Sequence, residues 1–119
     1  MSWARPAHYA AALDALHPEI SYDLTHFPDG QTYRGHDGVT EAFRTWLGTW
    51  EGYHQTREEI IDAGERVVVA VREHGRGKAS GLQLDRLTFG IWTLRDGKVV
   101  RIEFRSTRVQ AVEAVGLSE

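Results

Sequence analysis

The sequence predicts an α+β fold in which an antiparallel sheet packs against helices, and three observations predict it. About residues 37–50 carry Val39, Ala42, Phe43, Trp46, Leu47 and Trp50 on one stripe at intervals of three and four, the pattern of a helix with one buried face. Four long strand-like runs follow, at about 53–62, 66–74, 81–94 and 98–106. Asp96-Gly97, the strongest short hairpin signal, separates the last two. At 119 residues the chain is expected to form a single domain over residues 1–119.

In chain order, PAHYAAALDALH predicts a short helix over about 6–17, with Pro6 in its first turn and Pro18 as its stop. EISYDLTHF alternates as a strand, with Ile20, Tyr22 and Leu24 on one face and Ser21, Asp23 and Thr25 on the other. Pro28-Asp29-Gly30 makes a turn and QTYRG a brief extended piece before the tryptophan helix, for which Gly52 is the expected stop. Thr107-Arg108-Val109-Gln110 fits a capping box, and the helix it opens is expected to end at Gly116.

Composition narrows the function classes. A net charge of −3 excludes a globally basic nucleic-acid binder. The absence of cysteine removes disulfides, thiolate metal sites and cysteine nucleophiles together. No apolar run is long enough for a signal peptide or a membrane span, so a cytoplasmic protein without membrane partners is expected. The six histidines His8, His17, His26, His36, His54 and His74 lack metal-ligand spacing, so neither a metal nor another cofactor is expected. Gly75-Arg76-Gly77-Lys78-Ala79-Ser80 resembles a phosphate loop in composition only, because it joins two strands and lacks the required spacing.

The two-residue turn sets the register of the last hairpin by placing Arg95 opposite Lys98. Counting back pairs Thr93 with Val100, Ile91 with Ile102, Phe89 with Phe104 and Leu87 with Ser106 on an apolar face. Trp92 then meets Arg101, Gly90 meets Glu103 and Thr88 meets Arg105 on a polar one. Leu82 and Leu84 fall out of phase with Leu87, which predicts a bulge near Asp85-Arg86.

This order of elements, with YRGHDGV leading into the tryptophan helix and IDAGERVVVAV and WTLRDGKVVRIE marking the sheet, resembles the SnoaL-like branch of the nuclear transport factor 2-like superfamily over about residues 13–117. The resemblance implies a cone: a curved antiparallel sheet wrapped around helices, with an internal pocket at the open end and often a homodimer. The superfamily includes ketosteroid isomerases, epoxide hydrolases, polyketide cyclases and dehydratases, so the fold alone does not select a reaction. Members usually begin with a longer helix. Only MSWAR precedes the first one here, which implies that the pocket lacks its usual N-terminal cover: either the sequence starts late, or Trp3 and a partner subunit fill the gap.

On that frame the pocket is expected from Tyr22, Leu24 and His26 of the first strand, Phe43, Trp46 and Trp50 of the helix, and Phe89, Ile91, Ile102 and Phe104 of the last hairpin. Leu87 and Ser106 continue the same wall. Such a lining suits a small apolar or aromatic molecule, and it equally suits a self-filled core. Thr88, Trp92, Arg101, Glu103 and Arg105 are the expected dimer face. In the ketosteroid isomerases a carboxylate on the first strand, an acid on the penultimate strand and a tyrosine bind and activate the substrate. Leu24 and Phe89 stand at the first two of those phases here, so no catalytic set is assigned. Asp85 is left as a lone rim carboxylate, and His26 as the one histidine near the mouth that could act as an acid or base. Two functions follow: a domain that binds a small molecule and acts on it as a cyclase, isomerase or hydrolase, or a non-enzymatic binding or interaction module.

Overall fold

The structure, a computed structural model, describes residues 13–117. Residues 13–15 are helical; the rest of the expected first helix and Trp3 lie outside the described residues. The elements are β1 (Leu16–Asp23), β2 (Thr32–Arg34), α1 (Gly35–Thr49), β3 (Trp50–Ala63), β4 (Arg66–Gly77), β5 (Gln83–Arg95), β6 (Lys98–Arg105) and α2 (Arg108–Ala114). The α+β class is as expected, with all six strands in one curved sheet ordered β2-β1-β6-β5-β4-β3. Every pair is antiparallel except β1 with β6, which run parallel because the chain crosses to the far edge through α1 and returns strand by strand.

Successive residues of a strand face opposite sides of the sheet, so each side has its own core. On the inner side, Val39 and Phe43 of α1 pack on Leu16, Ile20, Tyr22, Trp92, Leu94, Val99, Ile102 and Phe104. On the outer side, Ala111 and Val115 lie over Val68, Ala70, Phe89 and Ile91. The capping prediction holds: the Thr107 side chain accepts from the Gln110 N–H, and the chain leaves α2 through Gly116 at φ 81°.

Three expectations are corrected. Pro18 does not stop a helix; β1 already begins at Leu16, with Pro18 inside it and exposed. No bulge interrupts β5 at Asp85-Arg86, since β4 and β5 pair without a break from Arg66↔Thr93 to Arg76↔Gln83. Leu84 and Leu87 differ in phase because they face opposite sides, both of which are partly apolar.

The third correction changes the site. Asp96 (φ 51°) and Gly97 (φ 78°) make the predicted tight turn, and Arg95↔Lys98 and Leu94↔Val99 pair as expected. Thr93 then pairs with Arg101, which leaves Val100 as one extra residue in β6. The pairs that follow are Trp92↔Ile102, Ile91↔Glu103, Gly90↔Phe104 and Phe89↔Arg105. A one-residue bulge of this kind turns every later side chain of β6 to the other face relative to β5. Because β5 is apolar on both sides, matching apolar to apolar could not fix the register.

Candidate functional site

The inner face of the sheet, beyond the end of its aliphatic core, carries a polar cluster walled by aromatic rings. β4 runs Val67, Val69, Val71, Glu73 on that face, and Glu73 pairs directly with Arg86 of β5. Glu73 is only 5% exposed. A carboxylate this deep needs a partner for each oxygen. Arg86 supplies one, donating from Nε (3.0 Å) and Nη2 (2.8 Å) to Oε1. Tyr53 of β3 supplies the other, its hydroxyl donating to Oε2 at 2.6 Å, while Gln55 Nε2 donates to the Tyr53 oxygen at 2.8 Å. Burial raises the Tyr53 phenol well above the ordinary tyrosine range, and the neighbouring Glu73 charge adds to the rise. Tyr53 is therefore a hydrogen-bond donor at neutral pH, not a base.

Aromatic rings hold the guanidinium in place. The Arg86 Cζ lies 4.8 Å from the centroid of Phe27 and 4.9 Å from that of Trp46, an arrangement in which two ring faces attract one cation. Phe27 reaches this position from the loop after β1. That loop closes on itself through Phe27 N–H to Leu24 O and Gly30 N–H to Phe27 O, each at 3.0 Å. Only glycine fits at residue 30, where a Cβ would stand 1.8 Å from the Leu24 oxygen. Trp46 meets Trp50 edge-on at 5.4 Å and Tyr53 at 6.3 Å. Trp50 is the first residue of β3, and Gly75 leaves room for it, since a Cβ there would lie 3.3 Å from the Trp50 Cβ. Tyr22 stacks on Phe43 at 5.6 Å and meets Phe104 edge-on.

Two donors remain over. The buried Trp50 Nε1–H has no hydrogen-bond partner. Arginine has five N–H donors, and among the described residues Arg86 uses only those on Nε and Nη2. A buried N–H left unpaired costs about 1–3 kcal/mol, so the Trp50 indole favours an added acceptor, while the spare Arg86 donors, on a side chain 35% exposed, reach solvent.

Of the pocket residues expected from the sequence, the structure brings Tyr22, Phe43, Trp46, Trp50, Ile102 and Phe104 to the inner side. Phe89 and Ile91 are buried on the outer side beneath α2, displaced by the Val100 bulge. Leu24 is half-buried in the loop after β1, and His26 is exposed there, its Nε2 3.0 Å from Ser106 Oγ. The expected dimer face is split by the same bulge. Thr88 and Trp92 face inward, whereas Arg101, Glu103 and Arg105 stay outside. Asp85 is outward too and bonds Arg72 at 3.0 Å.

Outside, Arg101 joins Asp23 and Glu103 at 2.9 Å each, and Glu103 continues to Arg105 at 3.1 Å. Hydrogen bonding from the Thr25 hydroxyl, with help from Arg101, holds the Asp23 carboxyl below its usual range. This ladder lines a shallow groove of about 330 Å³ with Thr25 and His26. Its charges are mutually satisfied.

The sequence reading missed Phe27, Tyr53, Gln55, Glu73 and Arg86. One signal was present: Glu73 continues the phase of Val67, Val69 and Val71, which are half-buried on the inner face. Its partner was hidden, because β4 runs on to Gly77, into the glycine-rich stretch that reads as a loop, and this shifts its register with β5.

The family model of the SnoaL-like domain matches residues 4–102. The chain belongs to the SnoaL-like family. No curated protein matches it. Among solved structures, this SnoaL-like domain is similar to TerC co-crystallized with polyporic acid, at 25% identity and TM-score 0.73 over 95% of this chain and 89% of that one. An NTF2-like protein from Burkholderia thailandensis is 26% identical, with TM-score 0.73 and 90% of each chain covered. A protein of unknown function with a cystatin-like fold from Xanthomonas campestris shares the fold at 16% identity, with TM-score 0.69 over 97% and 90%. No helix among the described residues is long and apolar enough to cross a membrane.

Proposed function

We propose that this SnoaL-like domain binds a small aromatic molecule bearing an acidic or enolic oxygen at the inner cluster, with that oxygen held by Arg86. The observation that carries the reading is the pair of donors left over beside Trp46: the outer N–H groups of Arg86 and the orphaned Trp50 Nε1–H. The ring faces of Phe27 and Trp46 beside the guanidinium favour a planar partner, and the cation favours one with negative charge. The similarity to TerC, whose structure contains polyporic acid, supports an acid of this kind as the first probe.

The chemistry available is proton transfer and enolate stabilisation. Arg86, through its spare N–H groups, stabilises charge that develops on oxygen, and Glu73 is the carboxylate beside it, while the single Tyr53 hydroxyl hydrogen is already given to Glu73. That set matches the acid-base demands of a cyclase or isomerase step.

A second reading has its own support. Both Glu73 oxygens are engaged and Arg86 is sandwiched, which suits a non-enzymatic module whose inner face is filled by its own side chains. Titration with polyporic acid, followed by tryptophan fluorescence, separates the two. Saturable quenching that is lost in a Glu73→Gln/Arg86→Gln double variant supports the first reading; no saturation in the folded wild type leaves the module.

A homodimer remains part of the proposal. The alternating Arg101, Glu103 and Arg105 ladder can meet its own copy across a two-fold axis. Light scattering should give twice the chain mass and a monomer for Glu103→Arg; a monomeric wild type rejects it.

A further inference from the structure

We propose that His54 and His74 form a two-imidazole site for a divalent transition-metal ion on the outer face, at the β3 edge. The inner cluster uses neither residue. Strand pairing places His54 opposite His74, and His74 opposite Asp85, so two imidazoles and a carboxylate stand in one row across three strands. The two rings lie parallel within 15°, their centroids 4.8 Å apart.

The His54 ring is also oriented from behind. His54 Nδ1 is 3.1 Å from the Gly52 carbonyl oxygen. A carbonyl only accepts, so Nδ1 carries the hydrogen and Nε2 keeps its lone pair. His54, with one nitrogen anchored to a carbonyl and the other bare, has the usual arrangement of a metal-ligating histidine. His74 stands beside it with Asp85 Oδ1 4.0 Å from its Nδ1, too far for a hydrogen bond.

The surroundings leave room for an ion and its water. The pair lines a groove of about 500 Å³ with Glu51, Gln83 and Asp85, and His74 and Asp85 are 36% and 62% exposed. β3 is an edge strand, and its register shifts between Glu51 and His54, where Gly52 takes φ 62°. Bulges commonly re-aim a side chain in this way. Among the described residues no three histidine, aspartate or glutamate side chains converge as a finished site. The imidazole pair is therefore the anchor: ring lone pairs lie in the ring planes, so the exposed His74 side chain must turn out of the stack for both imidazoles to meet one ion, and water or Asp85 fills the remaining positions. Arg72 and Arg76 stand close by, so nitrogen ligation and not local negative charge selects the ion. That favours Cu(II), then Ni(II) or Zn(II), over Mg(II) or Ca(II).

The test titrates untagged full-length protein with Cu(II) by calorimetry and records the electron paramagnetic resonance spectrum of the complex. The wild type and His17→Asn should bind one ion with equal affinity, and two nitrogen ligands should appear in the spectrum. His54→Asn and His74→Asn should each weaken binding by at least roughly tenfold while keeping the wild-type circular dichroism spectrum. Unchanged affinity in both variants, a single coordinated nitrogen, or no saturable binding overturns the proposal and leaves the rings as cross-strand packing.

Discussion

Breaking the Glu73–Arg86 pair from its two ends should have unequal consequences. Removing one member of a buried pair costs about 3–5 kcal/mol, because the other is left charged and unpaired. Arg86→Met strands a carboxylate that is 5% exposed and keeps only the Tyr53 hydroxyl. The Arg86 side chain was itself 35% exposed and partly screened, so the loss should sit near the lower end, about 3 kcal/mol. Glu73→Leu instead frees a guanidinium that already reaches solvent and keeps its two ring contacts, while the Tyr53 O–H loses its acceptor, since Gln55 only donates to it. The charge-assisted bonds it loses are worth about 1.5–3 kcal/mol, but no buried charge is left behind. The double variant replaces a buried ion pair by apolar side chains and should fall about 2 kcal/mol or more short of the summed single losses. Urea unfolding followed by circular dichroism, at one protein concentration, reads all three. Equal single losses that simply add in the double variant would refute the reasoning, since the two groups would then not be buried against each other.

The raised Tyr53 phenol gives a pH dependence. Its folded pKa lies above the unfolded value of 10.0, so the stability it contributes is complete below pH 10 and is lost as the pH rises beyond it. Spectrophotometric titration should find one of the four tyrosines ionising only as the protein unfolds; four normal titrations would remove the buried Tyr53–Glu73 bond. Gly30→Ala places a methyl group on the Leu24 carbonyl and should cost about 2 kcal/mol or more while withdrawing Phe27 from Arg86. Unchanged stability and unchanged tryptophan emission would contradict the loop geometry.

The fold was legible because its signals are local. The α1 stripe, the Asp96-Gly97 turn and the Thr107 cap are each decided within a few residues, and each appears where the periodicity puts it. Part of the site was legible for the same reason: Tyr22, Phe43 and Trp46 follow from the phase of one strand and one helix, whereas Trp50, expected on the helix with Gly52 as its stop, is already the first residue of β3. The rest depends on pairings between distant residues. Val100 looks like any other strand valine, yet as the extra residue it decides that Trp92 and not Ile91 shares a face with Ile102. Glu73 meets Arg86 only because β4 and β5 continue through a stretch of glycines that reads as a loop. A polar cluster inside a sheet is a product of register, and register is what a two-sided apolar strand leaves open.

The claim that ligand binding belongs to the inner face is tested most directly by following the arginine Nε–H and tryptophan Nε1–H resonances during a titration with polyporic acid. The Arg86 Nε–H is locked to Glu73, and the Trp46 and Trp50 indoles lie beside it, so these three signals should move together and saturate. Movement confined to Arg101 and Arg105, which line the outer groove, or no saturating movement at all, would contradict the account.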